Sequence, residues 1–110
     1  MMIKMKDPWT MMYIEYADEF IEMIRQSLPD EHPLSEREFY PAAKISREFV
    51  FLIEDDTTGK SGLLDFRKKM RWKGKNVPYY KEFRDEAEIE AMIDKDHAQW
   101  VASLSRYDDV

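Results

Sequence analysis

Apolar residues in the first quarter of this 110-residue chain recur at helical spacing. From Pro8 to about Leu28, Trp9, Met12, Tyr13, Tyr16, Phe20, Met23 and Ile24 return every three or four positions, which predicts an amphipathic helix. Asp7-Pro8 suits its start, because an aspartate accepts from free first-turn N–H groups and a proline at the first helical position forfeits no hydrogen bond. Along the polar side, Glu15, Asp18, Glu19 and Glu22 fall at i, i+3, i+4 and i+7 and share one face, with Arg25 adding one opposite charge. Two prolines then bracket a polar stretch, Leu28 to Pro33, which must leave the helix. Ser35 followed by Glu38 reads as a capping box that opens a short second helix ending near Pro41.

The period then changes. Phe49 to Ile53 is a continuous aromatic and β-branched run, read as a strand, followed by a polar loop from Glu54 to Gly62. Leu64, Phe66, Met70 and Trp72 alternate with Asp65, Arg67, Lys69, Arg71 and Lys73, interrupted by Lys68, and predict a strand over 63–73. A helix built on Leu63, Phe66 and Met70 is the competing reading, but it leaves basic residues on every side. Gly74 and Asn76 to Pro78 mark a turn, after which Tyr79 and Tyr80 belong to a third short strand or pack beneath the sheet. Asp85 with Glu88 opens a last helix whose apolar face runs through Ile89, Met92, Ile93, Trp100, Leu104 and Tyr107. Asp96 projects into that face, so it either breaks the helix or needs a buried partner.

These elements predict a single α+β domain over residues 1–110. A small antiparallel sheet of two to three strands packs on one face against N- and C-terminal amphipathic helices, in the order α-α-β-β-(β)-α. Such a sheet cannot cover both apolar faces of Phe49 to Ile53. A further strand, from residues 2 to 5 or 77 to 81, or a homodimer partner would complete the burial.

Composition narrows the setting. With 44% hydrophobic and 14% aromatic residues the chain has enough apolar side chains to fold. The absence of cysteine rules out disulfides and thiolate metal sites, and with no signal peptide or membrane-length apolar run it suggests a cytoplasmic location. A net charge of −6 disfavours attraction to nucleic acid or anionic lipid over most of the surface. The tract Arg67 to Lys75 is the exception: it holds six positive residues and no negative one, so the rest of the chain carries −12.

Candidate chemistry is sparse. Thr58-Gly59-Lys60-Ser61 ends like a phosphate-binding loop, yet Glu54 stands where that pattern needs glycine, and Asp55 and Asp56 would repel a phosphate. Glu90, Asp94 and His97 share a helical face, but a carboxylate metal site needs a matching motif on a facing helix, and His32 in the proline-flanked loop does not supply it. No metal or cofactor is predicted, and no serine or thiol nucleophile motif is present. The leading expectation is a non-enzymatic protein-binding module, of the kind represented by acidic inhibitors, immunity proteins or antitoxins, that docks a basic partner such as a nuclease or toxin through Glu15, Asp18, Glu19 and Glu22. The alternative is a nucleic-acid binder using Arg67, Lys69, Arg71, Trp72 and Lys73, with a small carboxylate enzyme behind it. Lysines that merely shield an exposed sheet edge would leave the same basic pattern.

Overall fold

A computed structural model describes residues 3–30 and 32–108, with side chains described through residue 104. Its elements are β1 (Trp9–Met11), α1 (Ile14–Ser27), β2 (Phe39–Ile45), β3 (Val50–Asp55), β4 (Lys60–Trp72), β5 (Lys75–Glu82) and α2 (Glu86–Asp108). The strands form one sheet in the order β1-β2-β3-β4-β5, each pair antiparallel. The class remains α+β, but the predicted arrangement is wrong. The sheet has five strands rather than two or three, and one helix stands before β2 where two were expected.

The two helices cover opposite faces of the sheet, not one. Phe51 and Ile53 of β3 share a core with Ile24 of α1, Leu64 and Tyr80, whereas Val50 and Leu52 share the other with Trp9, Ile45, Ile89 and Ile93. This is why β3 reads as continuously apolar: successive strand residues face opposite sides, and here each side is an interior. With β2 and β4 flanking it, β3 needs no partner molecule for burial. Of the further strands suggested for residues 2–5 and 77–81, the second exists within β5; Ile3 to Met5 have no strand structure, although Ile3 is buried, and Met2 lies outside the described residues.

Three local expectations are corrected by long-range pairing. Asp7 and Pro8 belong to a turn, and the first helix does not begin there but at Ile14. Trp9, Thr10 and Met11 pair instead with Ile45, Lys44 and Ala43, and the Met12 N–H donates to the Ala42 carbonyl at 3.0 Å, holding the backbone extended until α1 begins at Ile14. Ser35 and Glu38 form no capping box. The Ser35 hydroxyl donates to the Asp30 and His32 carbonyls (2.6 and 2.9 Å), and Phe39 onward joins the sheet. Pro41, which lacks an N–H, is accommodated where the β2–β3 register shifts between Pro41 and Ala43.

At one end of the sheet, Arg37 Nη1 donates to Asp55 Oδ2 at 3.0 Å and to Glu82 Oε1 at 3.3 Å, and Lys60 lies 3.7 Å from Glu82. These contacts tie the ends of β3, β4 and β5 together. They also supply the counter-charge that the buried Asp55 carboxylate requires, since an unpaired buried charge would be strongly destabilising. α2 continues through Asp96 without a break. Asp85 Oδ1 accepts from the Glu88 N–H at 3.0 Å at its start, as the Asp85/Glu88 spacing implied. Among the described residues no helix is long and apolar enough to cross a membrane.

Candidate interaction surfaces

The buried side of α1 is set by Ala17 and Ile24, with Phe20 and Ile21 partly covered beside them. At 100° per residue this places Glu15, Asp18, Glu19 and Glu22 on the opposite side, and all four are exposed. Among the described residues none of the four has a cationic partner; Glu22 only accepts from Gln26 one turn on, at 3.3 Å. Arg25 does not extend the stripe. Its guanidinium lies 4.8 Å from the Phe39 ring centroid and donates to the Arg37 carbonyl at 3.1 Å. The carboxylates therefore form an uncompensated surface, in which Glu15 alone gains from the helix N-terminal dipole.

Four large apolar side chains surround the start of this stripe. Ile14 is 80% exposed, Tyr13 70%, Met11 55% and Tyr16 52%, and on the helix Ile14 and Tyr16 flank Glu15 on either side. The helical spacing had assigned Tyr13 and Tyr16 to the core. For Tyr16 the signal was in the chain: Ala17, Phe20, Ile21 and Ile24 stand at i, i+3, i+4 and i+7 and define a face with Tyr16 on its flank, whereas Tyr13 falls in line with that face and is exposed because it is the extended residue before the helix begins.

The predicted row of basic residues is present but divided. The strand reading of 63–73 holds as far as Trp72, within the longer β4, while Lys73 lies in the turn that follows; the β4–β5 register shifts between Asp65 and Lys69, so that Asp65 faces Tyr79 and Lys69 faces the next residue back, Pro78. In that irregular stretch Arg67 turns back on the buried Asp65, donating from Nε to Oδ1 (3.1 Å) and from Nη2 to Oδ2 (3.2 Å), while its own N–H donates to Oδ1 at 2.8 Å. The hydrogen bonds to Asp65 raise the Arg67 pKa above its ordinary value, so this guanidinium is an internal counter-ion to Asp65. Lys68 lies 5.8 Å from the Tyr79 ring centroid. Beyond the shift Lys69, Arg71 and Lys73 are exposed, and Arg71 donates to Asn76 Oδ1 at 3.4 Å. Trp72 is half-buried, with its indole nitrogen enclosed and without a partner among the described residues.

Glu90, Asp94 and His97 do not converge on a common point. Asp94 accepts from Lys6 at 2.6 Å, His97 Nδ1 sits 2.7 Å from the Asp7 carbonyl oxygen and therefore carries the proton, and the His97 ring stacks on Trp100. Among the described residues no group of three or more potential ligands is placed to hold a metal. His32 is buried, its Nδ1 accepting from the Leu34 N–H at 3.1 Å; burial lowers its pKa. Residues 56–59 form the β3–β4 hairpin connection and Lys60 and Ser61 already pair with Asp55 and Glu54 as the start of β4, while Asp55 Oδ1 accepts from the Thr57 and Thr58 N–H groups that a phosphate would have needed. A cavity of about 310 Å³ lies between the sheet and α2, lined by Trp9, Asp65, Arg67, Lys95, Asp96 and Gln99. Inside it both Asp65 oxygens accept from Arg67, and Asp96 Oδ2 accepts from Trp9.

No protein-family model, curated protein or solved structure matches this chain.

Proposed function

We propose that this protein is a binding module that acts by docking a basic protein partner on α1, as inhibitors, immunity proteins and antitoxins do, rather than by catalysis. The observation that carries the reading is the combination at the start of α1: exposed Met11, Tyr13, Ile14 and Tyr16 beside the unpaired carboxylates of Glu15, Asp18, Glu19 and Glu22. Interface hot spots favour large, rigid side chains such as tyrosine at their centre, surrounded by polar groups that exclude water. A contiguous exposed apolar patch on a soluble domain has the same meaning. The carboxylates set the sign of the partner. Four like charges without counter-ions speed encounter with a basic surface and reject an acidic one, and they do so without contributing to the fold.

The test is capture with the wild-type chain and with two variants, Glu19→Lys/Glu22→Lys and Tyr13→Ala/Ile14→Ser, followed by measurement of the purified complex. The expected partner is basic, its association rate falls with salt for the wild type, and both variants lose it while keeping the circular dichroism of the parent. A partner retained equally by both variants, or one whose contact surface is acidic, overturns the proposal.

A further inference from the structure

β3 accompanies β4 only as far as Asp65, its last paired residue, with one further backbone bond from the Phe66 N–H to the Phe49 carbonyl at 3.0 Å. From Lys69 to Trp72 the one strand paired with β4 among the described residues is β5, through the pairs Lys69 with Pro78, Met70 with Val77, Arg71 with Asn76 and Trp72 with Lys75. The sheet thus ends in a two-stranded ribbon. Its turn, Lys73-Gly74, has φ values of 48° and 81°, the positive pair of a type I′ hairpin whose twist matches the flanking strands. Met70 anchors the ribbon: it packs against the α1-side core, and the Tyr80 N–H lies 3.2 Å from its sulfur. The ribbon is therefore a shaped projection held at its base, not a loose loop.

No acidic residue occurs between Phe66 and Lys81, and among the described residues no carboxylate pairs with Lys68, Lys69, Arg71 or Lys73. An edge needs one or two lysines to prevent sheet-to-sheet aggregation. Here four uncompensated cations are concentrated on a structure one hairpin wide, in a chain whose remaining surface is acidic. The aromatic residues decide between classes of polyanion. Trp72 is half-buried and Lys68 lies over one face of Tyr79, so both rings are already partly engaged within the fold, whereas single-strand binders stack bases on open aromatic rings. What remains is a row of phosphate contacts. A two-stranded ribbon fits the major groove of B-form DNA, whereas the major groove of A-form RNA is too deep and narrow for it.

We infer that the β4–β5 ribbon, through Lys69, Arg71 and Lys73 with Lys68 at its base, binds the phosphate backbone of double-stranded DNA without base specificity. This surface is separate from the α1 docking face and does not depend on it.

The experiment is fluorescence anisotropy of a labelled DNA duplex of about 20 base pairs, titrated with the full chain at several salt concentrations, since each phosphate contact contributes about −0.9 to the slope of log K against log salt. The wild type is expected to bind at low salt with a slope between about −2.7 and −3.6, set by three to four contacts from the exposed cations Lys68, Lys69, Arg71 and Lys73. Lys69→Gln/Arg71→Gln/Lys73→Asn, which leaves an asparagine at the positive-φ position, is expected to keep its circular dichroism, weaken binding at least tenfold at about 0.1 M salt and flatten the slope by about three. Glu19→Lys/Glu22→Lys is expected to bind the duplex no more weakly than wild type. Absence of duplex binding at low salt, equal binding by the triple ribbon variant, or tighter binding to single-stranded DNA or duplex RNA overturns the inference. So does salt-sensitive self-association that the triple variant abolishes while DNA has no effect, because the ribbon would then dock an acidic protein surface.

Discussion

The indole nitrogen of Trp9 donates to Asp96 Oδ2 across 2.7 Å, joining the first strand to the middle of the last helix over 87 residues of chain. The contact answers two local puzzles together: a carboxylate on the apolar side of a helix, and a tryptophan only 2% exposed whose N–H must find an acceptor. Neither residue announces the other in sequence.

Removing the acceptor should therefore be felt at the donor. Asp96→Ala leaves a buried N–H unsatisfied and is expected to cost about 1–3 kcal/mol. Asp96→Leu combined with Trp9→Phe should cost less than the sum of the two single changes. Urea denaturation of the double-mutant cycle checks this, and strict additivity would show that the hydrogen bond carries no coupling.

Gly62 in β4 is required for space. A Cβ there would stand 2.5 Å from Cε2 and Oη of the buried Tyr80 ring, closer than van der Waals contact allows, so the ring would have to shift. Gly62→Ala is expected to destabilise the protein by about 1–3 kcal/mol, the usual cost of overpacking. In a Tyr80→Leu background the same change should cost much less, as measured by the denaturant midpoint. Burial also pushes the Tyr80 phenol up to about 12, so its ultraviolet titration should be delayed well beyond that of the exposed tyrosines.

His32 predicts a pH dependence of stability. Its pKa in the fold lies below the ordinary 6.5, because burial disfavours the imidazolium and nearby Arg37 adds to that effect against the opposing Pro78 backbone hydrogen bond. Between the folded and unfolded values the unfolded chain binds more protons. The contribution is therefore complete above pH 6.5 and is lost progressively as pH falls below it. His32→Asn keeps an acceptor for the Leu34 N–H and removes the titration, so its stability should vary less than that of wild type over this window. Thermal melts across the range provide the measurement, and parallel curves would exclude the role.

Glu88 acts at lower pH. The Lys81 and Arg84 side chains and the Arg84 N–H hold its carboxylate down to about 2, from an ordinary 4.5. A depressed carboxylate contributes stability that is present above the unfolded value and disappears as pH falls from 4.5 towards 2. Glu88→Gln should accordingly be less stable than wild type at neutral pH, with the difference closing through that acid window.

The acidic face of α1 is predicted to be indifferent or mildly harmful to folding. Glu15 with Glu19 and Asp18 with Glu22 are i,i+4 pairs of like charge, each costing a few tenths, about 0.2–0.5 kcal/mol, in an exposed helix. Glu19→Lys/Glu22→Lys should melt no lower than wild type at low salt. A marked loss of stability would mean that these carboxylates serve the fold, and the docking role would lose its main support.

The amino-acid sequence by itself determined the features that depend on near neighbours. The stripe on α1, the strand character of 50–53 and of 63–72, the Asp85/Glu88 start of α2 and the concentration of positive charge before Lys75 all follow from spacings of seven residues or fewer, whereas Glu54 and Asp55, which read as loop, are held in β3 by pairing with Ser61 and Lys60. Tertiary structure decided what those spacings left open. Trp9 to Met11 and Phe39 to Ile45 are strands because they hydrogen-bond to segments far along the chain, overriding a helical apolar period in one case and a capping pattern in the other. The same holds for charge. Arg67 reads as one of a uniform basic row, yet the register shift gives it to Asp65 and leaves Lys69, Arg71 and Lys73 on the free ribbon. The period of a strand or helix is a local property of the backbone, whereas register, the choice of face and the partner of a buried polar group are settled only when distant segments pack.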